Sequence, residues 1–222
     1  MDIVARIKSD FPTKFAIPRQ SGLLRDLESR IVFEGKYKNP DYIRGIESYS
    51  HLWLIWCFSE HVDKSASPTV RPPRLGGNQR VGVFATRSPF RPNPIGLSSV
   101  RLIRVEQTAD GPCLVVSGAD LMDGTPIYDI KPYIPFSDSH PDALGGFADE
   151  HFSDALEVSV SQELLAPIPK EKREVLVEIL KQDPRPSYHN DPDRIYGFLF
   201  AGFEIRFRVK QNMLSVLSVE RQ

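Results

Sequence analysis

The sequence predicts a mainly β protein with a smaller α+β part at its C-terminal end. Short runs rich in β-branched and aromatic residues recur through residues 1–136, and Pro- and Gly-rich turns separate them. A clear helical pattern follows only after Pro169. Many short strands without intervening helices are typical of a sandwich or barrel, not of alternating βα units.

The elements follow from these patterns in order. We predict strands, in chain order, at Ile3–Ile7, Arg30–Phe33, His51–Phe58, Arg80–Phe84, Ile95–Val105, Cys113–Ser117 and Pro126–Ile130. The segment Ser137–Ser153 loses periodicity and gains Pro, Gly and Asp, which indicates a linker. We therefore expect a β-barrel domain over residues 1–137 and a linker over residues 138–160.

The remaining residues, 161–222, predict a small α+β domain. The stretch Lys170–Gln182 has the period of a helix, and DPRP ends it. The apolar residues on one face of that helix are Val175, Leu176, Ile179 and Leu180. Apolar residues then alternate with charged ones from Phe203 to Val209, which predicts a half-buried strand.

Composition limits the cellular context. No apolar run approaches the ~20 residues of a membrane helix, and the N-terminus lacks the apolar core of a secretory signal, so we expect no membrane association. Cys57 and Cys113 each lie in an apolar run, which predicts buried free thiols in a reducing cytoplasm. The aspartates have no neighbouring histidine and lack the spacing of a calcium loop, so no metal site is predicted.

Charge is segregated along the chain although the net charge is only -1. From Lys64 to Val105 there is no acidic residue, whereas Lys131 is the only Lys or Arg between Glu106 and Pro169. Such segregation can create a positive face suited to phosphate backbones. The alternative is a cluster of solvated arginines.

Three blocks could carry chemistry. The first is the tripeptide Pro18-Arg19-Gln20, which offers several hydrogen-bond donors, although it could be an ordinary turn. The second, Val70–Ser98, combines prolines, glycines and arginines, and stiff loops reduce the entropy cost of gripping an anionic or planar ligand. The third, Gly118–Phe136, concentrates Asp120, Asp123 and Asp129, which could hold an amine or ribose hydroxyls. Asp123 could equally be only a turn former.

The aromatic run His51–Phe58 is interpreted as a core strand rather than a base-stacking platform. His51, His61, His140, His151 and His189 have no partners at metal-ligand spacing and receive no role.

Taken together, these blocks resemble the TrmO-type proteins, once called YaeB or TsaA-like. The resemblance rests on PRQ, RGIESYSHLWLIWCF, VRPPRLGGNQRVGVFATRSPFRPNPIGLS and DLMDGTPIYDIKPYIPF. After Ser137 the similarity is weaker and is limited to QDPRPSY and the last predicted strands. It implies S-adenosylmethionine-dependent methylation of N6 in N6-threonylcarbamoyladenosine beside the tRNA anticodon. It further implies a single-sheeted β-barrel methyltransferase domain, a C-terminal domain that helps to grip tRNA, and a homodimer with the cofactor near the subunit interface.

The resemblance also implies a cofactor pocket. Its residues would be Pro18, Arg19, Gln20, Ser59, Glu60, Arg87, Leu97, Gly118, Ala119, Asp120 and Leu121. Ser59-Glu60 departs from the His-Gln-like pair expected in a relative, so we expect those two contacts to use the backbone.

For catalysis, we expect alignment and electrostatics to dominate. Arg87 or Arg91 would polarise the urea oxygen or hold the threonyl carboxylate, and Asp123 or Asp129 would act as the base. Two alternatives stay open, a methyltransferase of small molecules and a non-catalytic RNA-binding module.

Overall fold

The computed structural model describes most of the chain. The described residues are 1–72, 75, 79–150, 155–185 and 191–222. Arg74, Gly76 and Gly77 of the second block, His151 and His189 lie outside them, as do the end of the Ser137–Ser153 segment and the last residues of QDPRPSY.

The described elements are mainly strands. In chain order the strands are β1 (Ala5–Lys8), β2 (Glu28–Phe33), β3 (His51–Cys57), β4 (Thr69–Val70), β5 (Val81–Gly82), β6 (Ile95–Thr108), β7 (Gly111–Ser117), β8 (Pro126–Pro132), β9 (Glu157–Ser159), β10 (Tyr196–Phe200), β11 (Phe203–Lys210) and β12 (Met213–Arg221). The α-helices are α1 (Pro135–Asp138), α2 (Phe147–Glu150), α3 (Gln162–Leu165) and α4 (Lys170–Lys181). The predicted mainly β class is confirmed. No described helix has the length and apolar character needed to cross a membrane.

Six strands pair in a closed ring in the order β1-β2-β7-β6-β3-β8. All these pairs are antiparallel, and β1 closes the ring by pairing with both β2 and β8. Alternate residues of each strand point inward, so Ile7, Ile31, Leu54 and Leu114 are fully buried in one core cluster. Cys57 and Cys113 are buried free thiols, as predicted.

The C-terminal residues form a second sheet in the order β10-β11-β12-β9. The inward residues of β11 are buried as the alternation predicts, and α4 packs its predicted apolar face, Val175, Leu176, Ile179 and Leu180, in the same core cluster. Helix α4 begins directly after Pro169 and ends at Lys181, within one residue of the predicted limits.

Two expectations about organisation differ from the structure. The predicted linker over residues 138–160 contains β9, which pairs in parallel with β12 because Val158 continues the apolar surface of that sheet. The N-terminal part also contributes Phe11, 1% exposed, to the C-terminal core, where its ring lies 5.6 Å from that of Phe200. The loop after β1 therefore joins the two sheets through one shared core.

A third difference concerns the predicted strand Arg80–Phe84. Only Val81–Gly82 is extended, and Val83–Ala85 forms a 3-10 helix. The amide of Val83 donates to the carbonyl of Pro68, and the carbonyl of Val83 accepts from Thr86 instead of from a neighbouring strand.

Candidate functional site

A cleft of about 760 Å³ lies where one end of the closed sheet faces the end of α4. Residues from the loop after β1, the end of β3, the turn before β6 and the start of β6 form most of its wall. Residues Gln182–Arg185 close the opposite side. The cleft thus combines residues from both sheets, which the shared core holds together.

The loop that carries Pro18, Arg19 and Gln20 is fixed by two glycines. Gly22 and Gly118 have φ of +81° and +80°, and the Gly22 amide donates to the Gly118 carbonyl at 2.8 Å. A Cβ on Gly118 would lie 3.2 Å from the Cα of Gly22, which is tighter than an ordinary contact, so this close approach depends on the absence of a side chain at Gly118. This contact ties the Pro-Arg-Gln loop to the turn that carries Asp120.

The turn over residues 86–91 holds two arginines of the second block, Arg87 and Arg91, at the cleft. Thr86 Oγ1 donates to the Val83 carbonyl at 2.8 Å and accepts from the Ser88 amide at 3.2 Å. Arg91 Nη1 donates to the Thr86 carbonyl at 3.1 Å, and Arg87 Nη1 donates to Gln20 Oε1. The hydrogen-bonded turn therefore fixes the guanidinium of Arg91 and brings that of Arg87 to the Pro-Arg-Gln loop.

A carboxylate, Asp120, lies on the floor of the cleft. Ser98 Oγ donates to Asp120 Oδ1 at 2.5 Å, and Trp56 Nε1 donates to Ser98 Oγ at 2.9 Å. Burial raises the pKa of the Asp120 carboxyl above its ordinary value, and the Ser98 hydrogen bond and the charge of Arg87 oppose this rise only in part. A carboxylate in such a place can bind a cation or hydroxyl groups of a ligand.

Aromatic rings form another wall. Trp56 and Phe58 meet edge to face with centroids 4.3 Å apart, and the imidazole of His61 meets the ring of Phe90 edge to face at 4.8 Å. Burial lowers the pKa of His61 below its ordinary value, and Lys64 and Lys14 act in the same direction. The imidazole is therefore neutral at pH 7, beside rings that suit a purine.

The C-terminal wall is tied to the N-terminal loop. Arg19 Nη2 donates to the carbonyl of Asp183 at 3.2 Å. The Asp183 carboxylate in turn accepts two hydrogen bonds of 2.8 Å from the guanidinium of Arg185. These contacts hold residues 182–185 against the Pro-Arg-Gln loop.

The structure brings together most of the sequence-predicted cofactor residues. Those that line the cleft are Pro18, Arg19, Gln20, Ser59, Glu60, Arg87, Leu97 and Asp120. Ala119 and Leu121 flank Asp120 but are buried in the core of the closed sheet, and Gly118 supplies the close contact with Gly22. The last three therefore shape the cleft from behind.

The two aspartates predicted as bases lie elsewhere. Asp123 Oδ1 accepts a hydrogen bond from the Ser9 amide at 3.0 Å, which ties its turn to the loop after β1. Asp129 lies opposite Ile55 in the sheet and pairs with Lys131 at 2.9 Å. Neither belongs to the described residues that line the cleft, because Asp123 is held by the residues that follow β1 and Asp129 by its neighbour Lys131 on β8.

Sequence reasoning missed several residues of the cleft. Ser98 is an example, although its signal was present: it alternates in phase with Gly96 and Val100, which predicts a buried polar residue that needs a partner. Trp56 was interpreted as core, and it both packs in the core and lines the cleft. The arginine cluster is also less uniform than predicted, because Arg104 is paired with Glu28 and Glu106.

The chain is similar over its whole length to proteins of one family. Residues 6–139 match the tRNA-methyltransferase O N-terminal domain, and residues 150–222 match the TrmO C-terminal domain. A tRNA (adenine(37)-N6)-methyltransferase from Escherichia coli K12 is 40% identical over 222 residues, which cover 96% of this chain and 94% of that protein.

Two further comparisons agree. A Pseudomonas aeruginosa protein, RcsF, whose name places it with the S-adenosylmethionine-dependent methyltransferases, is 36% identical over 97% of this chain and 95% of its own length. A crystal structure of TrmO from Pseudomonas aeruginosa has a TM-score of 0.78 at 33% identity and covers 100% of this chain and 97% of that chain.

Proposed function

Because the chain belongs to the tRNA-methyltransferase O family, we propose that it transfers a methyl group from S-adenosylmethionine to N6 of adenosine 37 in tRNA. The observation that carries this proposal is the single cleft in which Gln20, Arg87 and Asp120 meet an aromatic wall. The closed six-stranded sheet is the catalytic barrel over residues 1–137. The second sheet, which includes β9, and helix α4 form a small domain that contacts tRNA.

The cleft residues fit this methyl donor. A volume of about 760 Å³ is within the range of small-molecule sites and accommodates an adenosyl group with its amino-acid tail. Trp56 and Phe58 present rings to an adenine, and Arg87 and Asp120 present opposite charges to the carboxylate and the cationic groups of the tail. The cofactor supplies an electrophilic methyl group on a sulfonium, while the protein supplies position and charge.

We propose that the target nucleoside is N6-threonylcarbamoyladenosine. Its carboxylate requires a cationic partner, and the Arg91 guanidinium lies at the cleft, fixed by the Thr86 carbonyl. Arg185 lies on the opposite wall, where its charge is balanced by Asp183. Arg91 is therefore the residue that holds the anionic substituent.

His61 is the proposed acceptor of the N6 proton in place of Asp123 and Asp129. It lines the cleft, and its lowered pKa leaves the imidazole neutral near pH 7. A neutral imidazole can accept a proton as the methyl group is transferred.

The protein is further proposed to act in the cytoplasm as a homodimer. Leu97 is 54% exposed on the outer face of β6, where it lies opposite the half-buried Ile55 of β3 and close to Trp53. Leu97 also lines the cleft, so a second copy on this apolar face would border the methyl donor. Light scattering of the purified protein should give twice the chain mass.

The test uses methyl-labelled S-adenosylmethionine and two tRNA preparations, with and without the threonylcarbamoyl group. Label should enter only the modified tRNA. The Arg87→Ala variant should lose activity by about tenfold or more, since a charge-assisted contact is removed, and Arg44→Ala, a surface arginine paired with Asp41, should keep it. Equal labelling of both tRNAs would refute the nucleoside assignment, and full activity of Arg87→Ala would refute the site.

A further inference from the structure

The carboxylate on the floor of the cleft is held by a buried relay of two hydrogen bonds. Trp56 Nε1 donates to Ser98 Oγ, and Ser98 Oγ donates to Asp120 Oδ1. Trp56 is 7% exposed and Ser98 is 1% exposed, so solvent does not compete for either donor. The relay comes from adjacent strands, because β3 and β6 pair with Trp56 opposite Gly96.

The direction of the relay is fixed by chemistry. An indole N–H can only donate, so the Ser98 oxygen accepts from Trp56 and must direct its own proton to Asp120. The acceptor at the end of the relay is therefore best matched by an ionised carboxylate. A neutral carboxyl could still accept this proton through its carbonyl oxygen, but an ionised carboxylate is the stronger acceptor, so the hydrogen bond from Ser98 favours the ionised form.

This arrangement opposes the effect of burial. Burial raises the pKa of Asp120, which favours the neutral form, while the Ser98 hydroxyl and Arg87 favour the ionised form. The groups that face the carboxylate are the Ser98 hydroxyl from β6, Arg87 from the turn before it and the backbone amide of Ser21 from the N-terminal loop. Arg87 is drawn toward Gln20, which leaves the relay as the direct side-chain hydrogen bond to Asp120.

We propose that Trp56 and Ser98 are positioning residues that keep Asp120 ionised and oriented as the anchor for a cationic group of the methyl donor. The proposal rests on the proposed function, because the cation is the ammonium or the sulfonium of S-adenosylmethionine. Neither Trp56 nor Ser98 needs to touch that cation. Each acts through Asp120.

The experiment is titration calorimetry of S-adenosylmethionine from about pH 5 to about pH 8, a range that brackets the titration of a raised carboxyl. The variants are Ser98→Ala, Trp56→Phe and Asp120→Asn. Ser29→Ala is the matched control, since Ser29 is a buried serine of β2 and does not belong to the described residues that line the cleft.

The expected result is a shift of the pH profile. Cofactor affinity falls as the pH drops through the pKa of Asp120, and loss of the Ser98 hydrogen bond raises that pKa further. Ser98→Ala should therefore lose affinity at a higher pH than the unmodified protein, and its binding, about tenfold weaker on the acid side of the profile, should recover toward pH 8. Trp56→Phe should shift the profile in the same direction by less, and Asp120→Asn should bind weakly at every pH.

Several results would overturn the proposal. An unshifted pH profile for Ser98→Ala, or an equal loss of affinity at every pH, would mean that the Ser98 hydroxyl contributes only packing. Ser98→Cys keeps a weak hydrogen-bond donor, so its pH profile should lie between those of the serine and alanine proteins. Parallel titration with S-adenosylhomocysteine separates the two cations, because this ligand keeps the ammonium but has no sulfonium charge. If Asp120 binds the sulfonium, Asp120→Asn should leave the affinity for S-adenosylhomocysteine unchanged. If Asp120 binds the ammonium, that affinity should fall. No binding by the unmodified protein would refute the proposed function itself, whereas normal binding without the shift would refute the relay alone.

Discussion

Substitution of Gly96 by alanine tests how closely the cleft depends on one aromatic ring. Gly96 lies opposite Trp56 in the paired strands β3 and β6, and the indole covers its Cα. A Cβ built on Gly96 would lie 2.2 Å from Trp56 Cε2 and 2.4 Å from Cζ2. Both backbones are fixed by the sheet, so the indole must move.

The magnitude follows from that distance. Carbon atoms in contact prefer about 3.5 Å or more, so the indole must retreat by about 1.3 Å. This movement would break the 2.9 Å hydrogen bond from Trp56 to Ser98 and press the ring toward Phe58, whose centroid lies 4.3 Å away. Overpacking and the lost buried hydrogen bond together should lower the free energy of unfolding by about 2–4 kcal/mol.

Thermal unfolding followed by circular dichroism measures the effect. For a chain of this size the melting temperature should fall by about 4–16 °C. Gly82→Ala is the matched control, because its Cβ would meet nothing within 4 Å and its φ of -57° suits any residue. Gly82→Ala should change the free energy of unfolding by less than about 0.5 kcal/mol. A Gly96→Ala protein as stable as Gly82→Ala, with normal cofactor affinity, would refute this account of the Trp56 wall.

The remaining predictions concern charges around the cleft. Asp120→Asn should raise the melting temperature of the cofactor-free protein near pH 7. The pKa of Asp120 is higher in the folded than in the unfolded protein, so its ionised form destabilises the fold above that pKa, and this cost disappears as the pH falls. An unchanged or lower melting temperature would contradict this. Lys172→Met should lower the free energy of unfolding by about 1–2 kcal/mol, since Lys172 of α4 and Asp10 of the loop after β1 form a half-buried pair at 2.7 Å. Lys181→Met breaks an exposed pair and should cost under about 0.5 kcal/mol in chemical denaturation. His61→Gln should lower kcat with little change in cofactor affinity, and an unchanged kcat would remove His61 as proton acceptor. Affinity for tRNA should fall steeply with salt in filter binding, and a flat response would argue against phosphate contacts.

The strand content could be predicted from the sequence because it depends on local alternation. Residues Phe203–Val209 and the apolar face of α4 are buried as their periods predict. Closure of the first sheet could not be derived in the same way, since it depends on β1 pairing with β8 through Ala5 and Ile127, far apart in the chain. The N-terminal loop could not be assigned to the second core for the same reason.

The site divides along similar lines. The motifs that resemble the family include Gln20, Arg87 and Asp120, and these do lie at one cleft. No local pattern indicates that Asp183 and Arg185 face that cleft, because their position depends on how α4 packs. Asp123 shows the opposite limit. An acidic residue in a loop is compatible with chemistry and with a turn, and the sequence could not show that its partner is the Ser9 amide, 114 residues away in the chain.

The most direct test of the central claim is a crystal structure with S-adenosylhomocysteine bound. The account predicts the ligand in the cleft between the Trp56–Phe58 wall and Arg87, with Asp120 still bonded to Ser98. Ligand density at any other place on the molecule, with this cleft left to solvent, would contradict it.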